Sequence, residues 1–435
     1  MLHLKQLALN VSAWRGGISR GERRAFLFPK ANLHIALRRL FPWALVCVYG
    51  AVCVLRAPQI FSGRFWGEEG LYYELFPTLS FLSSLFYASA GYPVILTNAS
   101  VLLSELVPVA YAPIITTMVG FGALLTLLAL ILLWSERLGL DGAIAGIIAA
   151  LVIMLPHTAE VTANATNLQW IAAAICVLVL LLPADGSKRF SCCVPFIAGL
   201  AGPATMLLIP AFILKCALDR SRSSYMQLAC LLSSAAIMLV VALGANQSSY
   251  RSYPLDPDLY LSVVSTQSAM SLFLGFDASL VISNWYRAAP ETGIAFFLKI
   301  ISFAAVVAPF SIGLAFYETR RASLLMATAY WVSALAGTFG ALQPYTLIAP
   351  IGRYFFAPNV ILLLLLGYLG SRLVAPPTGA VLLAGLLALH SVPNTIPAVF
   401  FEGPSWRAQI PNGGIQKPTE VNIWPPGWRV TLLPR

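Results

Sequence analysis

From Val109 to Trp134 the chain carries no charged side chain. The apolar core of a bilayer is about 30 Å thick and a helix crosses it in roughly 20 residues, so this run is long enough to span. Comparable runs recur along the sequence and constrain everything else. With 59% hydrophobic residues, 10% charged residues and a mean hydropathy of +0.80, there are too few charges to cover a soluble domain. The expectation is an all-α polytopic membrane protein. Its net charge of +10 does not point to nucleic acid, because Lys and Arg gather at the ends of apolar runs, where they orient the chain. The seven cysteines all lie in or beside apolar segments with no Cys-x-x-Cys spacing, and read as small buried side chains.

Charge asymmetry sets the expected topology. Met1 to Arg39 holds eight Lys or Arg against one acid, Glu22, so residues 1–40 read as a basic cytoplasmic segment. No small-residue cleavage site follows the first apolar run, about residues 41–57, which is therefore a retained helix. A transmembrane part over residues 41–393 has further spans near 109–134, 141–156, 168–183, 225–245, 294–317, 322–341, 354–373 and 378–393. Residues 190–218 are basic at both ends, with Gly199, Gly202 and Pro203 between, and read as two short helices or a re-entrant pair whose tip reaches outward. That makes about 10 or 11 transmembrane helices. Outer loops are expected at 57–108 and 246–293. Within them, 71–87 reads as an interfacial helix, 91–107 as a juxtamembrane or half-inserted helix, and 259–276 as a semi-apolar helix. The Pro- and Trp-rich tail, 394–435, reads as an outer-face cap or strap.

Three polar groups stand out against this background. Phe65-Trp66-Gly67-Glu68-Glu69-Gly70-Leu71-Tyr72-Tyr73 sets two adjacent carboxylates just past the first span. Gly67 and Gly70 allow close backbone approach, and Trp66, Tyr72 and Tyr73 offer faces for a sugar ring or a prenyl chain. A carboxylate at the membrane surface can take a proton from an attacking hydroxyl; two exposed acids can also simply mark the outer end of a helix. The second group runs from His157 through Glu160, Asn164, Asn167 and Gln169 to Trp170. Its amide, carboxylate and indole groups suit a sugar or a pyrophosphate-like head group, and equally an ordinary wet loop. Four scattered histidines make no zinc site. The third runs from Gln343-Pro344-Tyr345 to Gly352-Arg353-Tyr354-Phe355. Arg353 stands at the outer mouth of a span, against the inside bias, where it can fork onto phosphate oxygens or snorkel to the interface. Tyr354 lies beside it as a contact for the same ligand.

An acid pair just after the first span of a long apolar chain, followed by interfacial helices, resembles the GT-C superfamily of polyprenyl-phosphate-sugar-dependent membrane glycosyltransferases. Phe65-Trp66-Gly67-Glu68-Glu69-Gly70 is similar to the Phe-Trp-x-Glu-Asp-Gly pattern of a bacterial group within it. Gly91-Tyr92, Glu160 through Trp170, Gly202-Pro203 with Pro210, Gly352 through Phe355 with Pro358, and Pro425-Pro426-Gly427-Trp428 also look like that group. The resemblance implies a GT-C-like fold in the bacterial cytoplasmic membrane, and the charge asymmetry puts the amino terminus inside and the carboxyl terminus outside. It further implies a polyprenyl-phosphate sugar donor, a glycan, lipid or protein acceptor, and inverting transfer with a carboxylate as base. Glu69 stands where the group has Asp; Glu68 is the expected base, with Glu69 its neighbour or a metal or sugar contact. No metal site is legible, and neither is an oligomeric state. A transporter or flippase of lipid-linked saccharide, or a noncatalytic assembly partner, stays open as an alternative.

Overall fold

Proline, glycine and charge set the helix ends, and the computed structural model shows where each run stops. It describes residues 40–41, 43–52, 54–55, 63–89, 91–183, 188–245, 256–288, 293–341, 352–391, 404–411 and 414–434. The chain divides into two units, Met1–Val48 and Tyr49–Arg435. In the first, residues 40–41 and 43–48 are helical; the rest of the expected basic segment lies outside the described residues.

The second unit is helical apart from two antiparallel hairpins, β1 (Ala88–Ser89) with β2 (Tyr92–Pro93) and β3 (Thr419–Asn422) with β4 (Arg429–Leu432). Its main helices are α1 (Gly67–Leu75), α2 (Ile95–Ser104), α3 (Ala112–Leu133), α4 (Gly142–Met154), α5 (Leu168–Leu181), α6 (Lys188–Leu200), α7 (Ile209–Asp219) and α8 (Arg222–Gly244). They continue with α9 (Pro257–Val264), α10 (Phe276–Ala288), α11 (Gly293–Ala315), α12 (Tyr317–Ala341), α13 (Arg353–Arg372) and α14 (Pro376–Ser391).

Among the described residues four helices are long and apolar enough to cross a membrane: Val109–Leu133, Arg222–Gly244, Gly293–Ala315 and Arg353–Arg372. Shorter apolar helices accompany them, and the chain is a multi-pass membrane protein. Its outer faces agree with this. Leu239, Val240 and Leu243 on α8 and Phe296 and Phe297 on α11 are exposed, as apolar side chains in such numbers are where lipid takes the place of water.

Among the described residues, two of the expected spans are short. Helices α4 and α5 have 13 and 14 residues, short of the roughly 20 that a bilayer asks for. Leu155 and Leu182 leave the helical region, and Pro156 and Pro183 follow them, so neither ladder continues. The break within 190–218 falls where the glycine and proline put it. Gly202, at φ +150°, separates α6 from the turn Pro203–Met206, and α7 follows.

Two expectations for the segments between the spans change. The helix expected over 71–87 is broken: α1 stops at Leu75, a 3-10 turn covers Phe76–Thr78, and a short helix runs from Phe81 to Leu85. Pro77 has no N–H to give to the ladder. Among its described residues, the segment 246–293 is more helical than its polarity suggests. After α9 the backbone widens into a π turn, Ser265–Met270, whose six residues are all buried, and α10 follows. Residues 246–255 and 289–292 lie outside the described residues.

Two features position the candidate site. Helix α13 is buried without interruption from Phe355 to Leu365, with α4, α5, α12 and α14 packed around it. It is the axis from which both ends of the bundle are measured. The second feature is the tail, whose strands sequence reasoning missed. Trp406, Val421, Ile423, Val430 and Leu432 join Phe65, Tyr72, Tyr73 and Phe76 in one apolar cluster, so the tail is a cap seated on α1. Trp424 pairs with the segment entering α1, its N–H donating to the Phe65 carbonyl at 2.9 Å. The two glycines of the acidic motif serve this seating. A Cβ on Gly67 would stand 2.9 Å from the Trp428 ring, and one on Gly70 would stand 2.6 Å from Ile423 Cδ1.

Candidate active site

Successive residues on a helix point about 100° apart, so the two adjacent acids at the start of α1 must meet different surroundings. Glu69 turns inward and is fully buried. Its Oε2 accepts from the Trp66 N–H at 3.1 Å, which caps its own helix, and from the Thr116 hydroxyl at 2.9 Å. Its Oε1 accepts the backbone N–H of Ala165 and that of Thr166, the latter at 3.0 Å. One carboxylate thus ties α1 to α3 and to the loop before α5. Burial pushes its pKa up to about 7, against the pull of those four donors. Glu68 stays partly exposed.

The loop that Glu69 holds carries the second polar group. Asn164 Nδ2 and Asn167 Nδ2 both donate to the Glu160 carbonyl, at 2.7 and 2.8 Å, and the Asn167 N–H donates to Asn164 Oδ1 at 2.9 Å. Both asparagines are buried and fold the loop on itself. The loop in turn presents the Glu160 side chain to the start of α13. There Oε2 accepts the Arg353 N–H at 3.0 Å and Oε1 meets the guanidinium at 2.8 Å, capping the helix and pairing the arginine with one group. Burial raises the pKa of Glu160 and the Arg353 charge opposes that rise. Glu68 acts electrostatically on both members of this pair, so the outward acid of α1 and the ion pair belong to one neighbourhood.

Around them lie groups of two kinds. Tyr354 packs edge-on to Trp170, with centroids 4.9 Å apart, and Arg353 lies 5.3 Å from the Tyr354 ring. The Trp170 indole N–H and the Thr166 hydroxyl are buried with no hydrogen-bond partner among the described residues. Behind them, His157 Nε2 lies 3.2 Å from Gln267 Oε1 and its Nδ1 lies 3.3 Å from Asn359 Nδ2, which fixes the ring between the π turn and α13. Gln267, Asn359 and Thr116 were missed by sequence reasoning. Asn359 had a signal: a lone amide in an apolar span is costly unless it is partnered.

The structure therefore brings Glu68, Glu160, Arg353, Tyr354 and Trp170 together. Other expected contacts have different surroundings. Tyr72 stacks on Phe76 at 5.6 Å, and Tyr73 packs on Phe65 at 4.7 Å and on Trp406 at 6.3 Å, so both rings are in the core under the cap. Trp66 is buried against Trp424, with centroids 6.5 Å apart. Gln343, Pro344 and Tyr345 lie outside the described residues. Among the described residues no group of three His, Cys, Asp or Glu side chains could hold a metal ion. Comparison of the chain with protein-family models, with curated proteins and with solved structures finds no match.

Proposed function

We propose that the chain is an inverting membrane glycosyltransferase of the GT-C type. It moves a sugar from a polyprenyl-phosphate donor to a glycan, lipid or protein hydroxyl at the outer face of the bacterial cytoplasmic membrane. The observation that carries this reading is the division of labour between the two acids. Glu69 is consumed by four donors, whereas Glu68 is partly exposed beside the Arg353–Glu160 pair.

In this mechanism Glu68 accepts the proton of the acceptor hydroxyl as its oxygen attacks the anomeric carbon. The bond from that carbon to the phosphate oxygen breaks, and its electrons leave with the polyprenyl phosphate. A guanidinium has five N–H donors, and Glu160 engages it through Nη1, so Arg353 keeps donors for phosphate oxygens. Glu160 and the Asn-pinned loop fix the angle of that guanidinium. The Trp170 N–H and Thr166 hydroxyl, which have no hydrogen-bond partner among the described residues, are donors for the sugar. Proximity and stabilisation of the departing phosphate supply most of the acceleration.

The test is turnover by the full chain in proteoliposomes, offered a panel of polyprenyl-phosphate monosaccharides, with released polyprenyl phosphate as the readout. Release from at least one donor, with an Arg353→Lys variant raising KM for it about tenfold or more, is the expected result. No release from any donor by folded protein overturns the reading.

A further inference from the structure

Helix α13 starts at Arg353 and ends at Arg372, a rise of about 30 Å, so its two ends lie far apart in the bundle. At the Arg372 end lies a cavity of about 190 Å³. Three guanidinium groups line it, each from a different break between helices. Arg137 sits in the turn after α3, Arg321 in the first turns of α12, and Arg372 in the last turn of α13. Tyr368 completes the polar wall, and Leu181 and Leu364 are part of its apolar lining.

We infer that this cavity is a binding site for a phosphate-bearing anion, separate from the Glu68 neighbourhood and independent of what Glu68 does. Charge comes first. Asp219 engages Arg321 at 2.8 and 2.7 Å through Nε and Nη2, and no carboxylate of the described residues forms an ion pair with Arg137 or Arg372. The described lining contains no acid. Like charges gathered over an apolar floor repel, and a ligand carrying negative charge relieves that repulsion. Shape comes second. Arg372 lies 5.8 Å from the Tyr368 ring and passes so close to Gly139 that a Cβ there would stand 2.5 Å from Nη2. Gly139, at φ +73°, is the left-handed residue ending the turn that carries Arg137, so one glycine both bends that turn and lets Arg372 cross it. Guanidinium groups held in this way suit phosphate oxygens, and a basic pocket between membrane helices is the kind of place where lipid head groups bind.

The phosphate has two sources, a lipid head group and a soluble anion, and two probes separate them. Inorganic phosphate is titrated into the detergent-purified full chain by calorimetry at constant ionic strength. Dioleoylphosphatidylglycerol is counted as bound adducts by native mass spectrometry. The expected result is binding of at least one probe, weakened about tenfold or more by Arg372→Gln and by Arg137→Gln. Arg320→Gln, at the same end of the bundle but outside the cavity and bonded to the Leu314 carbonyl, should change it less than about twofold. Phosphatidylglycerol alone assigns a lipid head group; binding of inorganic phosphate assigns a soluble anion. Arg137 is exposed on its turn, so its variant carries the test should Arg372→Gln fail to fold. Binding of neither probe overturns the inference. So does an Arg320→Gln effect as large as the other two, which would mark diffuse surface charge.

Discussion

Trp406 is the anchor of the carboxyl-terminal cap, and its removal should be felt across the whole cap. The side chain is fully buried, meets Phe65 edge-on at 5.1 Å, and donates its indole N–H to the Val109 carbonyl at 2.7 Å. Truncating a buried Trp to Ala costs about 3–5 kcal/mol, and the carbonyl loses its partner as well. Cap opening is a local event, so the loss should appear as a larger open population and not as global unfolding. At about 1.4 kcal/mol per decade, a loss of 4 kcal/mol multiplies that population about 10³-fold. Hydrogen–deuterium exchange of the peptide covering 419–432 reads it directly, because the β3–β4 ladder protects those amides. Trp406→Phe keeps ring burial and loses the hydrogen bond, worth about 1 kcal/mol, so its exchange should rise only about fivefold to tenfold. Unchanged exchange in Trp406→Ala would refute the claim that the cap is seated on α1 through this residue.

Further outcomes follow from the site. Glu160→Gln leaves the Arg353 guanidinium, about 21% exposed, without its carboxylate and should destabilise the chain by about 3 kcal/mol. The Glu160→Gln/Arg353→Gln double variant should cost less than the sum of the singles in a chemical-denaturation cycle, and simple additivity would contradict the pairing. Burial raises the Glu69 pKa from 4.5 to about 7, so the folded state binds this proton more tightly than the unfolded one. Its stabilising contribution is therefore complete below about pH 4.5 and is lost as pH rises through about 7, on the order of 3 kcal/mol. Glu69→Gln should flatten that part of the stability–pH curve, and an unaltered curve would remove Glu69 as its origin. Gly70→Val should push Ile423 and Val430 off α1 and raise exchange over 419–432 as Trp406→Ala does.

What could be read from the sequence follows the physics of the bilayer. The long helices were legible because an uncharged run of that length has few other soluble or folded outcomes, and their ends carry Arg or Lys. The break at Gly202-Pro203 was legible for the same reason that proline ends a ladder. The cap was not, because four-residue strands in a Pro-rich tail give little pattern. The alternation of Val421 with Ile423 and of Val430 with Leu432 is the signal that was there. The glycines at 67 and 70 read as room for a ligand, yet the room is taken by residues more than three hundred positions away. Adjacent Glu68 and Glu69 are equivalent as letters. Only the pairing of α1 with the loop at Ala165 and Thr166 separates them, and that contact is set by tertiary structure. The short helices α4 and α5 show the limit of counting apolar letters, since a proline two residues past each end decides their length.

The most direct test of the central claim is the initial rate of polyprenyl-phosphate release by Glu68→Gln, with the folded fraction measured on the same sample. Glu68 lies partly exposed and holds no structural hydrogen bond among those of the described residues, so the variant should keep the stability of the parent within about 0.5 kcal/mol. Its release rate should fall by about 10²-fold or more, as for loss of a general base. A folded Glu68→Gln protein that releases polyprenyl phosphate at the parent rate contradicts the account.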